Sequence, residues 1–375
     1  MTDPAPGALP FARLPLTYGE CRARFRRAAT EAGVAVVAHP LEATGPHGER
    51  LTVDVATVGP PDADGLLVVL SGVHGVEGFV GSALQCDLLL RTAARELPPG
   101  VGLLLVHAVN PWGMAWWRRE NESNVDLNRN WHRSDTEPEH NDAYDEVHGL
   151  ACPATPDLPD VDDLLAHTAT LVAERGVAWV RDAITTGQYR HADGLHYGGE
   201  RTEASNRVLE GVVAEHVAGR DHVLVLDLHT GHGPRGELTL LSDEPPGCDQ
   251  DAFLRSRFPG ARVEATVGNP EATTGRKSGQ IANGIRDLLS PGRCWSTSAE
   301  IGTAGDLEQL AATYRSHWVA FHGDRADPAH AAAVWAYRCC FTPDDPAWER
   351  AALEGGRRLL DEAVTAVATW PPATD

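Results

Sequence analysis

Unbroken apolar runs alternate with mixed segments along this chain. Residues 66–70 read Leu-Leu-Val-Val-Leu, the pattern of a strand buried on both faces. Similar runs cover residues 101–109 and 222–228, and a shorter one over 295–299 ends at Glu300. A β-pattern also covers residues 51–58. Helical periodicity fills the intervals: an amphipathic stretch at 79–95, then 160–184, 205–218, 279–289 and several segments after Asp306. Residues 1–40 mix helix-like and Pro-rich pieces. Strands alternating with helices predict an α/β protein with a mostly parallel sheet covered on both faces. No internal repeat or low-complexity tract interrupts the pattern, so residues 1–375 read as one domain. Within it, residues 133–199 carry acidic, Pro and Gly residues and read as an elaboration that shapes the substrate site.

In open α/β sheets, binding sites lie at the carboxyl ends of strands. The polar residues that follow the apolar runs are His74, Asn110, His229 and Glu300.

Composition narrows the function. The chain has 42% hydrophobic and 23% charged residues and a formal net charge of -21; its mean hydropathy is -0.27. A strongly negative field repels phosphate backbones, so a nucleic-acid partner is not expected. No apolar run approaches the ~18 residues of a membrane span. The N-terminus lacks the basic and apolar regions of a secretory signal. The 7 cysteines are odd in number and form no CxxC pair. Free thiols and a cytoplasmic location are the expectation. Cys339 and Cys340 fall in an apolar helical stretch and read as core.

Four short segments carry candidate chemistry. The first is Ser71-Gly72-Val73-His74-Gly75-Val76-Glu77-Gly78. A glycine-rich turn lets His74 and Glu77, three residues apart, converge on a metal ion. Alone the signal is weak, because a chain with 17 histidines meets an HxxE by accident. The second is Asp227-Leu228-His229-Thr230-Gly231. A lone strand-end histidine is ordinarily structural, but His229 joined to His74 and Glu77 makes a catalytic zinc set with one open position. The third is Asn124-Val125-Asp126-Leu127-Asn128-Arg129-Asn130-Trp131, preceded by Arg118-Arg119. A polar surface loop is the plain reading. The chemical reading gives Asp126 the far nitrogen of His74. Asn128 and Arg129 then grip a substrate carboxylate, and Arg119 steadies the developing oxyanion. The fourth is Ser298-Ala299-Glu300-Ile301-Gly302-Thr303. By itself Glu300 reads as a salt-bridged strand-end residue; beside a metal-activated water it is a natural general base.

Taken in order, HxxE, Arg…NVDLNRNW, DLHTG and a late strand-end Glu resemble the zinc carboxypeptidase superfamily. That superfamily includes deacylases similar to succinylglutamate desuccinylase and aspartoacylase. The wider phrasing, with Asn110-Pro111-Trp112-Gly113, Gly187-Gln188-Tyr189 and Gly194-Leu195-His196-Tyr197-Gly198-Gly199, is most similar to a bacterial branch described as a domain of unknown function. The resemblance spans residues 51–303. It implies a three-layer α/β/α sandwich with a mixed, mostly parallel central sheet. It also implies one zinc per chain on His74, Glu77 and His229, with Glu300 as base. Arg119 matches the oxyanion arginine and Asn128 with Arg129 the carboxylate clamp; Arg118 is the alternative to Arg119, since the spacing varies between branches. One departure stands out: digestive carboxypeptidases carry a mobile tyrosine between the third ligand and the catalytic Glu, and no tyrosine lies between His229 and Glu300. Tyr189 or Tyr197 is the candidate cap, and exopeptidase action on long peptides is weakened.

Other readings fare worse. There is no GxSxG elbow for a serine hydrolase and no HExxH helix. A noncatalytic binding protein of the same fold would be expected to lose a ligand or the base. What remains is a zinc hydrolase cleaving an amide beside a carboxylate, on a peptide or small-molecule substrate: a carboxypeptidase, or alternatively a deacylase of a small N-acyl amino acid.

Overall fold

The computed structural model describes residues 13–131, 140–269, 275 and 277–370. The N-terminal stretch 1–12 read for a signal, and residues 133–139 of the predicted elaboration, lie outside the described residues.

Strands β1 (Val36–Thr44), β2 (Arg50–Val58), β3 (Gly65–Ser71), β4 (Val101–His107), β5 (His222–Gly231), β6 (Leu238–Ser242), β7 (Arg262–Ala265) and β8 (Cys294–Gly302) form one sheet. Their spatial order is β1-β2-β4-β3-β5-β8-β6-β7. The centre, β4-β3-β5-β8, is parallel. Antiparallel pairs flank it: β1 with β2 and β2 with β4 on one side, β6 with β8 on the other.

Alternation along the central strands feeds two separate cores. Leu67, Val69, Leu103, Leu105, Leu224 and Leu226 face the helices Tyr18–Glu31, Gly78–Ala94, Asp249–Arg257 and Pro346–Ala368. Leu66, Val68, Leu70, Leu104, Val106, Val223 and Val225 face the helices Ala204–Val217 and Ile281–Arg286. Because both sheet faces are buried, the strands need no polar alternation, which is why they read as continuous apolar runs. Each such buried aliphatic contributes about 1.5–3 kcal/mol relative to exposure. The three-layer α/β/α sandwich is thus the observed architecture.

The structure corrects several element expectations. The helix Gly78–Ala94 is buried from Gly78 through Leu89, so it is not amphipathic; it lies between the sheet and the two terminal helices. The pattern at 160–184 is two helices, Val161–Arg175 and Val177–Thr185, broken at Gly176 with φ +89. The 279–289 helix shortens to Ile281–Arg286. Strands β1, β6 and β7 have no counterpart in the sequence reading: β1 is partly exposed along its length, and β6 and β7 are only 5 and 4 residues long. Of the cysteine pair, Cys340 is buried and Cys339 only partly. Among the described residues no helix is long and apolar enough to cross a membrane.

Candidate active site

The site sits on the carboxyl edge of the parallel strands. After β3, Gly72 turns the chain with φ +64, and a short turn of 3-10 helix at Gly75–Glu77 leads into the buried helix. A side chain on Gly75 would overlap the backbone of Gly113 and Met114. That close approach fixes the turn against the segment bearing the paired arginines: Val76 N–H donates to the Arg118 carbonyl at 2.9 Å and Gly75 N–H to that of Arg119 at 3.3 Å. His74 and Glu77 therefore point the same way, with Arg119 beside them.

Two histidines turn Nδ1 toward one carboxylate. His74 Nδ1 lies 2.9 Å from Glu77 Oε1, and His229 Nδ1 lies 2.8 Å from Glu77 Oε2. All three side chains are buried, and their donor atoms lie within 4.8 Å of one another. The opposite nitrogens are backed by carboxylates. His74 Nε2 is 3.2 Å from Asp126 Oδ1. His229 Nε2 is 2.8 Å from Asp227 Oδ2, off the hydrogen-bonding axis. Each Nδ1 faces Glu77 as a hydrogen-bond partner; a carboxylate behind Nε2 would keep the proton on that side when Nδ1 gives up its own to a metal. Asp227 reaches His229 because residues two apart share a strand face.

Asp126 joins the pieces. Besides His74 it accepts from Arg119 Nε at 3.1 Å, from the Asn128 N–H at 2.9 Å and from His196 Nδ1 at 3.3 Å. Arg119 also reaches Glu77 at 3.4 Å. Glu300 stands opposite His229 in the β5–β8 register. It is partly exposed to the cavity and accepts the His232 N–H at 3.4 Å.

The charges reinforce one another. Burial opposes ionisation of Asp126, but Arg119, His74 and Arg129 hold it well below the usual carboxylate range. Burial likewise opposes a charged Glu77, yet His74 and His229 lower its pKa. Burial opposes a protonated His229, but Asp227 and Glu77 raise its pKa well above the ordinary value. Burial takes His196 the other way, down to about 4, so it stays neutral.

These residues floor a cavity of about 510 Å³. Its mouth and walls come from Val172, Val177, Val180 and Ile184 on the two helices of the predicted elaboration, and from Leu307, Leu310 and Phe341 later in the chain. A cavity of this size with an apolar wall and a few convergent polar groups is typical of small-molecule sites. His74, Glu77, Arg119, Asn128, Arg129, His229 and Glu300 all line it. Asp126 lies behind His74.

Three predicted contacts do not reach the cavity. Arg118 turns away, its Nη2 donating to Glu120 at 2.8 Å and to Asn124 at 2.7 Å, which leaves Arg119 facing the ligand set. Tyr197 is buried outside the cavity lining, and its carbonyl accepts the Asp126 N–H at 2.8 Å. Tyr189 instead bridges the Arg129 carbonyl, at 2.8 Å, and Ser278 Oγ. Arg129 itself is buried with its guanidinium engaged by backbone: Nε to Thr186 O at 3.0 Å, Nη1 to Asn128 O at 2.9 Å and Nη2 to Thr185 O at 2.7 Å. A bracing role accounts for these bonds better than a clamp. Asn128 keeps Oδ1 on the Ile281 N–H at 2.9 Å, while its Nδ2 has no protein partner among the described residues.

A family model described as "Protein of unknown function (DUF2817)" matches residues 15–355. The chain belongs to this family. No curated protein matches the sequence. Among solved structures, carboxypeptidase A from Helicoverpa armigera aligns over 89% of this chain and 77% of its own, with 14% identity and a TM-score of 0.50. Bovine thrombin-activatable fibrinolysis inhibitor, in complex with tick carboxypeptidase inhibitor, aligns over 87% and 96%, with 11% identity and a TM-score of 0.49. An aspartoacylase family protein from Mesorhizobium loti aligns over 76% and 66%, with 16% identity and a TM-score of 0.39. The DUF2817 chain thus has the metallocarboxypeptidase fold.

Several site residues escaped the sequence reading. Asp227 lay inside a quoted motif, and its spacing of two from His229 was the available signal. His196, His232, Lys277 and Tyr337 also line the cavity. His232 follows His229 by three residues. Lys277 and Tyr337 come from segments that carry no local motif.

Proposed function

We propose that this protein is a zinc-dependent hydrolase that cleaves an amide bond next to a carboxylate. The observation that carries the reading is the convergence of His74 Nδ1, Glu77 and His229 Nδ1 with Asp126 and Asp227 behind the two rings. Two imidazoles and a carboxylate, closely spaced and oriented by further carboxylates, are the donor chemistry of a catalytic zinc site. A zinc ion held there would supply Lewis-acid chemistry to the scissile carbonyl and the attacking water.

The protein's own groups divide the remaining work. Glu300, beside His229 across the strand pair, takes the water's proton and delivers it to the leaving nitrogen. Arg119 donates to the oxygen on which negative charge develops; Asp126 and Glu77 keep its guanidinium in position. Asn128 offers its free Nδ2 to the substrate. Asp126 and Asp227 hold the tautomers of His74 and His229.

A second reading differs only in the substrate. A cavity of about 510 Å³, walled by the helices Val161–Arg175 and Val177–Thr185, suits a small N-acyl amino acid better than a long peptide. The test is a screen of N-acyl amino acids against dipeptides with zinc-loaded protein. Release of the free amino acid from N-acyl substrates, with little from dipeptides, supports a deacylase; the opposite preference supports a carboxypeptidase. Turnover of neither class would overturn the hydrolase reading.

A further inference from the structure

We infer that Lys277, rather than Arg129, is the residue that receives the substrate's anionic group. This inference rests on the hydrolase reading and specifies how its substrate is chosen.

The first observation is the state of the cations around the cavity. Arg119 is paired with Asp126 and Glu77. Arg129 donates to three backbone carbonyls, and Arg181 pairs with Asp182 at 2.8 Å. Lys277 differs from all of these. It lines the cavity, is partly buried, and among the described residues makes no hydrogen bond or ion pair. The acids whose charge acts on it are Asp243 and Glu300. Asp243 is already held by Thr266 and by Asn283 Nδ2 at 2.9 Å, and Glu300 accepts the His232 N–H. An ammonium drawn out of water with no ion-pair contact is costly, and the cost falls when an anion joins it. Burial accordingly lowers the Lys277 pKa, and Arg129 adds to that effect.

The second observation is how the lysine is located. The Ile281 N–H donates to Asn128 Oδ1 at 2.9 Å, and the Trp131 N–H donates to the Gly279 carbonyl at 3.1 Å. Tyr189 ties Ser278 to the Arg129 carbonyl. These bonds hold the Lys277 segment against the Asn128–Arg129 corner, which flanks the ligand set. Lys277 and Asn128 thus line the same cavity from adjoining segments, and on this assignment a carboxylate next to the scissile amide meets the ammonium of one and the Nδ2 of the other.

The third observation is charge. The chain carries -21, yet the cavity lining holds Arg119, Arg129, Arg181 and Lys277 against Glu77, Glu300 and Asp306. A metal ion on the ligand set would make it more cationic still. An acidic protein with a locally cationic pocket selects anions there.

The test measures binding and turnover separately, on zinc-loaded wild type, Lys277→Met, Lys277→Arg and Lys277→Glu. The probes are N-acetyl and N-benzoyl amino acids, each paired with its C-terminal amide. Calorimetry should find at least one acid bound far more tightly by wild type than its amide. Lys277→Met should weaken that acid about thirtyfold or more and leave the amide unchanged. Lys277→Arg should restore much of the preference, and Lys277→Glu should reverse it. An acid-to-amide ratio equal in wild type and Lys277→Met overturns the inference, as does a wild type that prefers no acid. Equal loss of kcat on acids and amides, with binding intact, would assign Lys277 to support of Glu300 and also overturn it. The two readings fail separately. Acid binding that depends on Lys277 without any hydrolysis sinks the hydrolase; hydrolysis indifferent to Lys277 sinks only this inference.

Discussion

The two sides of the cavity are built in opposite ways. One side is the candidate metal site at the sheet edge: His74, Glu77 and His229, with Asp126 and Asp227 behind them. Its groups are buried and mutually paired: Asp227 and His229 stand on β5, His74 and Glu77 in the turn after β3, and Asp126 in the loop behind them. The facing side comes from the helices Val161–Arg175 and Val177–Thr185, the segment around Lys277, and the helix Asp306–His322. It is largely apolar, partly exposed and carries Lys277, which makes no hydrogen bond or ion pair among the described residues. The first side is preorganised for a fixed chemistry, where small displacements are expensive. The second is where a substrate supplies the missing contacts, and it is the side on which specificity can change without disturbing the fold.

If that division holds, substitutions on the two sides should differ in kind. The largest effect is expected at Glu300. Glu300→Gln should retain zinc and the fold while kcat falls roughly 10²–10⁴-fold, since a proton acceptor is lost. Elemental analysis and steady-state kinetics on the same preparation check this, and near-normal kcat would move the base elsewhere.

An intermediate effect is expected behind the rings. Asp126→Asn and Asp227→Asn should each weaken zinc affinity about 10–100-fold, measured by competition with a chromophoric chelator. Asp126→Asn should be the more severe, because the same carboxylate also holds Arg119, His196 and the Asn128 N–H. An unchanged titration for either would remove that residue from the metal's support.

The smallest effect on chemistry is expected at Arg129. Arg129→Lys loses bonds to the carbonyls of Thr185, Thr186 and Asn128. It should cost about 1–3 kcal/mol of stability in denaturant unfolding and leave the preference for acid over amide intact. A collapsed preference at unchanged stability would restore Arg129 as the carboxylate clamp and blur the two sides.

The same division governs what the sequence discloses. His74, Glu77, His229 and Glu300 each follow or end an apolar strand, so the strand pattern announces where they converge. Asp126 was legible because a metal-bound histidine needs a partner on its far nitrogen. Arg118 and Arg119 could not be separated by spacing; the partners of their side chains, Glu120 and Asn124 for Arg118 and Asp126 and Glu77 for Arg119, show which arginine faces inward. The bonds of Arg129 to the carbonyls of Thr185 and Thr186 were not legible, because side-chain chemistry does not encode them. Lys277 and Tyr337 were invisible for a related reason, since long-range packing alone brings them to the cavity. Strands β1, β6 and β7 were missed because short or half-exposed strands lack the continuous apolar run of the centre.

The central claim is that His74, Glu77 and His229 form a zinc site on which hydrolysis depends. The most direct measurement is zinc content by elemental analysis, with turnover, for wild type and His229→Ala. The account predicts about one zinc per chain in wild type. It predicts loss of both zinc and hydrolysis in His229→Ala, with circular dichroism unchanged. A folded His229→Ala protein that keeps about one zinc per chain, or that hydrolyses the wild-type substrate undiminished, would contradict it.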